Sequence, residues 1–247
     1  MSARGVYLRD SLHANPQSNR IRWTHFLSIP LRSAEDQAAF RKLKEAIFRR
    51  APRIVPDKAF GSEAKFHITL CMLRLKGGGA DLERAREVLR TCMPTVRTIL
   101  HEAGCIEEGK VVIPFEPGLA MFVDQSVDDD KTRLLFRDVA RGSRARSALE
   151  RIAALFTQSF QDAGLTTSLL STVLPLHATV VYVRYAVNSK RPFKPIDGRR
   201  VLKALAEWPA STSSTPDLHL SVLGKTAPDG YFHCAMRVLV VAAEGAT

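Results

Sequence analysis

KFHITLCML, Lys65 to Leu73, is the stretch from which the fold can be read. Its apolar residues alternate with His67 and Thr69, the period-two pattern of a β-strand. Residues two apart on a strand share a face. His67 and Thr69 are therefore expected on one side, and Phe66, Ile68, Leu70 and Met72 on the other. A single histidine on an apolar strand is most simply a satisfied core residue. The later stretch PLHATVVYV, Pro175 to Val183, shifts that balance by repeating the pattern as His177-Ala178-Thr179. Here Leu176, Ala178 and Val180 form the opposite face. Each H-x-T copy follows a strand–helix region, so two structurally related halves are expected. If the two strands lie together, two imidazoles and two hydroxyls line one cleft.

That set suits phosphodiester chemistry without a metal. Near neutral pH one imidazole can be neutral and act as base while the other, protonated, acts as acid. The base takes a proton from water or a ribose hydroxyl, and the acid protonates the leaving oxygen. Threonine hydroxyls can hydrogen-bond the non-bridging phosphate oxygens and hold phosphorus in line. The candidate catalytic residues are thus His67 and His177, with Thr69 and Thr179 as phosphate-binding groups.

Around these motifs the chain alternates strands and helices without the regular spacing of a doubly wound sheet. WTHFLSIPL reads as a strand, and Ser33 is a plausible N-cap for a helix running to about Arg50. A second helix is expected from Asp81 to about Leu89, interrupted at Pro94 and resuming over Val96 to His101. Lys110 to Phe115, Leu119 to Val123 and TRLLFRDVA read as strands. A third helix starts at Ser143 or Ser147 and ends near Gly164. A short helix from Gly198 to Trp208 precedes two final strands, Leu218 to Leu223 and Phe232 to Val241. The expected class is α+β with mainly antiparallel sheet. Residues 1–21 are expected to form a flexible arm and 22–247 a single domain.

Composition narrows the function classes. Hydrophobic residues are 45% and charged residues 25% of the 247, ordinary for a globular chain rather than a disordered one. The formal net charge of +11 favours polyanionic partners, nucleic acid or a phosphate-bearing ligand. Cys71, Cys92, Cys105 and Cys234 form no CxxC pair and sit among apolar residues, as reduced core cysteines do. No HExxH or Cys/His cluster suggests zinc, and no metal or cofactor is expected. No apolar run is long enough for a transmembrane helix, and the N-terminus lacks the core of a secretory signal. An intracellular setting is expected, in nucleus or cytoplasm. The Arg- and Ser-rich N-terminus is also compatible with the mitochondrial matrix.

With both motifs in hand, the chain resembles the 2H phosphoesterase superfamily, the LigT-like proteins marked by two H-x-[T/S] motifs on pseudo-symmetric lobes. HFLSIPL, FRKLKEAIF, KFHITLCMLRL, PLHATVVYV, DGRRVLK and GYFHC carry the resemblance from about Arg22 to Val241. They look like the branch of the A-kinase anchoring protein 7 central domain and the activating signal cointegrator 1 complex subunit 1 phosphoesterase domain. The resemblance implies a bilobal α+β fold, two mainly antiparallel sheets around a central cleft with helices outside. It also implies that His67 and His177 match the catalytic histidines, and Thr69 and Thr179 the phosphate-binding hydroxyls. RNA, oligonucleotide or nucleotide substrates are implied, cleaved at 2′,5′ or 3′,5′ linkages or at 2′,3′-cyclic phosphates. A non-catalytic nucleotide- or RNA-binding module, or a ribonucleoprotein scaffold, is the alternative from another class. No KH domain is expected before Trp23, and no kinase-anchoring helix or membrane contact after it.

The tract Arg184, Lys190, Arg191, Lys194, Arg199, Arg200 and Lys203 reads equally well as an RNA-backbone track or as a solvated loop and helix face. Phe66 and Tyr182 fall on the core side by alternation. Tyr231, next to a turn, is the freer candidate for stacking on a base. The candidate RNA or nucleotide contacts are therefore Arg184, Lys190, Arg191 and Tyr231. His25, His101, His219 and His233 lack an H-x-T context and read as structural or surface residues.

Overall fold

His67–Leu73 and His177–Tyr182 are adjacent antiparallel strands, registered through Ile68 opposite Ala178. The computed structural model describes residues 6–8, 22–123, 130–167, 176–183 and 194–240. In chain order the first elements are β1 (Val6–Leu8), β2 (His25–Pro30), α1 (Ala34–Arg50), β3 (His67–Leu73) and α2 (Gly79–Glu102). Five strands follow: β4 (Ile106–Glu107), β5 (Lys110–Phe115), β6 (Ala120–Val123), β7 (Lys131–Thr132) and β8 (Leu134–Asp138). Next come α3 (Arg144–Asp162), β9 (His177–Tyr182), β10 (Ile196–Asp197) and α4 (Gly198–Ala204). The last described strands are β11 (Ser211–Thr215), β12 (Asp217–Thr226) and β13 (Phe232–Leu239).

The main sheet has the order β1-β6-β8-β9-β3-β2-β12-β13, with β1 parallel to β6 and the other pairs antiparallel. The expected α+β class therefore holds. The sheet divides into two four-stranded halves that meet at the Ile68–Ala178 pair. Each half repeats one unit, β2–α1–β3 or β8–α3–β9, and the two H-x-T strands are innermost. Smaller sheets β11-β5-β4 and β10-β7 complete the architecture. Within residues 1–21, expected as a flexible arm, Val6–Leu8 pairs with Met121–Val123 at the sheet edge.

The core lies on the face of the sheet that carries Ile68 and Ala178, both fully buried. There Ile29 and Leu70 meet Val96 and Leu100 of α2 and Leu149 and Ile152 of α3. Phe156 and Phe160 of α3 are also fully buried, each contributing about 1.5–3 kcal/mol of apolar transfer. Packing of this kind explains why α2 runs unbroken through Pro94, where an interruption was expected. Met93, Val96, Ile99 and Leu100 are all buried around that proline. Their burial outweighs the roughly 3 kcal/mol intrinsic penalty of a proline inside a helix.

Simple alternation fails after each motif. In the β2–β3 ladder Ser28 pairs with Thr69 and Leu27 with Cys71, which leaves Leu70 as the extra residue of a bulge. In the β8–β9 ladder Phe136 pairs with Thr179 and Leu135 with Val181, leaving Val180 in the same position. Each bulge follows the motif threonine directly. The faces therefore swap: Cys71 and Val181 turn into the core, while Met72 and Tyr182, expected inside, are half-buried. A bulge on both strands is further support for a pseudo-twofold relation.

β11 was not expected as a strand. Ser211–Thr215 carries no apolar residue, but it pairs along Val111–Phe115, and Ser213 donates to the buried Asp36 carboxylate at 2.5 Å. Asp36 also completes a capping box with Ser33 at the start of α1, the cap expected from sequence. α3 likewise starts from Ser143, whose hydroxyl accepts from the Arg146 amide.

Candidate active site

Antiparallel pairing through Ile68 and Ala178 sets His67 against Thr179 and Thr69 against His177 on one face. Directly opposed residues have Cα atoms about 4.5–5.5 Å apart, and diagonal neighbours lie at about 7–8 Å. The two histidines occupy one diagonal of this array and the two threonines the other. All four are half-buried, unlike the fully buried residues between them. Neither threonine hydroxyl has a hydrogen-bond partner among the described residues, so both are available to a ligand.

His67 is held from three sides. Its Nδ1 lies 2.7 Å from the Lys65 carbonyl, an atom that can only accept, so Nδ1 carries the proton and Nε2 is left with its lone pair. Phe26 approaches tilted at 5.2 Å and Phe232 edge-on at 5.4 Å. Burial among these rings is the main reason the imidazole pKa falls to about 4. The Lys65 hydrogen bond opposes the fall, and charge on His177 adds to it. The two rings are thus electrostatically coupled: a proton on one disfavours a proton on the other.

His177 has a matching aromatic setting, with Phe136 tilted at 4.8 Å and Phe122 edge-on at 5.5 Å. The next residue across the sheet differs between the halves. Pro30 is registered opposite His67, whereas Asp138 is registered opposite His177. The Asp138 carboxylate is buried and accepts from Arg146 Nη1 at 3.1 Å and Arg141 Nε at 3.4 Å. Sequence reading missed Asp138, Arg141, Arg146 and the four phenylalanines. The available signal was positional: SIP and FRD end the two strands that flank the motifs.

Other expectations fare differently. Tyr231 is corrected from a free stacking candidate to a structural residue: it is 1% exposed, and its hydroxyl lies 3.1 Å from Ser28 Oγ. Its ring packs edge-on against His219 and Phe232, with the Arg32 guanidinium 4.9 Å from its centre. The turn before it closes onto the sheet because Asp229 pairs with Arg32 at 2.7 Å. Arg184, Lys190 and Arg191 lie outside the described residues. Lys194, Arg199, Arg200 and Lys203 are exposed, and Arg199 pairs with Asp130. His101 and His233 are exposed, His25 is half-buried and His219 is buried. Among the described residues, no cluster of His, Cys, Asp or Glu could hold a metal ion, and no helix is long and apolar enough to cross a membrane.

The family model of the AKAP7 2'5' RNA ligase-like domain matches residues 23–240, and so includes both motifs. The chain belongs to that family. It is therefore a 2H phosphoesterase, as the paired H-x-T strands suggested. No curated protein matches it by sequence. Among solved structures, this 2H phosphoesterase is similar to TT0787 of Thermus thermophilus, at 12% identity and TM-score 0.48, over 88% of this chain and 97% of that one. It is similar to E. coli LigT complexed with 3'-AMP at 13% identity and TM-score 0.46, with the shares 88% and 97%. For Usb1 of Kluyveromyces marxianus the values are 13% and 0.42, with shares of 89% and 98%.

Proposed function

We propose that this chain is a metal-independent phosphodiesterase of RNA or oligonucleotide ends, working by general acid–base catalysis between His67 and His177. The register of Ile68 with Ala178 is the observation that carries the reading, because it gathers both imidazoles and both threonine hydroxyls on one face. A phosphodiester between the imidazoles accepts hydrogen bonds from Thr69 and Thr179. Neutral His67, with Nε2 unprotonated, takes the proton of the attacking water or ribose hydroxyl. Protonated His177 delivers a proton to the leaving oxygen as the P–O bond breaks. Burial of His67 favours this division, since it holds that imidazole neutral, and a proton on His177 adds to the effect. The net charge of +11 adds general attraction for a polyanion.

The test is turnover of 2′,5′-linked, 3′,5′-linked and 2′,3′-cyclic substrates with EDTA present. His67→Ala and His177→Ala are each expected to lower kcat by about 10²–10⁴-fold, the usual share of a general acid or base. Wild-type turnover that survives either change would overturn the mechanism. Tight binding of a nucleotide or RNA end, with no turnover across the panel, would make the cleft a binding site.

A further inference from the structure

On the sheet face away from the motif imidazoles, Arg137 is registered opposite Ala178, directly behind the seam of the two H-x-T strands. This cation is only 5% exposed. Its Nη2 donates to the carbonyls of Glu116 at 2.8 Å and Pro209 at 3.4 Å, and its guanidinium lies 5.6 Å from the Phe115 ring centre. Nε is sealed in without a hydrogen-bond partner among the described residues, and Nη1 has none there either. No carboxylate among those residues pairs with the guanidinium. Burial lowers its pKa to about 10, so the charge persists at neutral pH. A buried charge without a counter-charge is costly, and a ligand that supplies one relieves that cost.

Arg137 and Phe115 line a cavity of about 240 Å³ whose other walls come from α1, β11 and Phe66. α1 contributes Glu35 and Asp36, so opposite charges share the cavity without being joined to each other. Asp36 Oδ1 accepts from Ser213 Oγ at 2.5 Å and Oδ2 from the Ser33 amide at 3.2 Å. A carboxylate has about four acceptor sites, which leaves Asp36 with further capacity. Glu35 is exposed. An anion alone would face both carboxylates, and a cation alone would face Arg137. An occupant that carries both charges satisfies both sets of groups.

The remaining walls are apolar. Phe40 and Phe66 meet edge to face at 5.2 Å, and one face of Phe115 is taken by the guanidinium. These rings offer no parallel pair of faces to a planar base, and they suit an aliphatic side chain instead. The volume is below the range of about 300–1,000 Å³ typical of drug-sized sites, which restricts the occupant to a small molecule. We propose that this cavity binds a free α-amino acid with an aliphatic side chain. Its carboxylate pairs with Arg137, its ammonium group with Asp36 and Glu35, and its side chain packs against Phe40 and Phe66. Both polar contacts are charge-assisted. The site uses neither motif histidine, so the assignment is independent of the acid–base reading above.

Calorimetric titration of the full chain with leucine, N-acetyl-leucine, leucinamide and guanosine tests the assignment. Leucine is expected to bind at one saturable site. Removing either of its charges, in N-acetyl-leucine or leucinamide, should weaken binding by about ten-fold or more, the scale of one charged hydrogen bond. Two variants of the protein separate charge from space. Arg137→Met keeps an apolar stem but removes the cation. Ala39→Trp, at an exposed position of α1 that lines the cavity, fills it without altering either charge. Each should weaken leucine binding at least ten-fold, and if Arg137→Met does not fold, Ala39→Trp decides alone. Four results overturn the site: no binding of leucine, equal affinity for N-acetyl-leucine, tighter binding of guanosine than of leucine, or leucine binding unmoved by Ala39→Trp.

Discussion

At His67, the proposed base, two effects oppose each other: ring burial expels the proton, and the Lys65 carbonyl fixes it on Nδ1 when the ring is neutral. With a pKa of about 4, the acid limb of kcat/KM for the free protein is expected near pH 4, not near 6.5. An acid limb at 6–7 that His67→Gln abolishes would contradict this environment. The same shift has a stability consequence. The unfolded imidazole binds a proton near pH 6.5 and the folded one only near 4, so the unfolded chain gains as pH falls through that interval. Denaturant titrations at pH 7.5 and 4.5 should show a smaller stability loss for His67→Gln than for wild type. His25 and His219 are also shifted down by burial and contribute in the same direction, but they are common to both proteins. For Thr69, removing the hydroxyl as Thr69→Val should cost about 10²–10³-fold in kcat, as loss of a transition-state donor does, while Thr69→Ser recovers most of it.

At the scale of elements, local chemistry was legible wherever one residue fixes a backbone group. Ser33 and Ser143 mark helix starts by accepting amide hydrogens, and both are caps in the structure. Ser33→Ala should therefore cost about 1 kcal/mol in chemical denaturation. Legibility ends where the partner strand decides. The alternation through Leu70 and Val180 cannot announce a bulge, because the extra residue exists only relative to β2 or β8. β11 was invisible for a related reason, its polar residues being satisfied by β5 and Asp36. Gly198, in DGRRVLK, is another such case. A Cβ there would press on the Met121 sulfur and come within 2.6 Å of Thr132 Cγ2. Gly198→Ala should cost about 1–3 kcal/mol through overpacking, seen as a shifted denaturation midpoint with an unchanged m-value.

For the whole molecule, the repeated motif predicted two related halves but not how tightly they would be joined. The shared face of the four motif residues was legible because the i, i+2 spacing of H-x-T states facing in three letters. Asp138 and Phe122 were not, because they come to His177 from strands whose neighbours a single sequence does not name. The joint itself is the registered pair of Ile68 and Ala178, each lying between its own histidine and threonine and fully buried. Volume added there has nowhere to go without moving one H-x-T strand against the other. Ala178→Val introduces two methyl groups and should cost about 1–3 kcal/mol in stability. Its effect on rate should be larger than that stability loss explains. A displacement of about 1 Å between the imidazoles would break the alignment that the two proposed proton transfers share, and such misplacement can cost about 10²-fold. Turnover measured well below the melting temperature separates the two effects. If Ala178→Val is folded and destabilised yet turns over at the wild-type rate, the two motifs do not act across this seam.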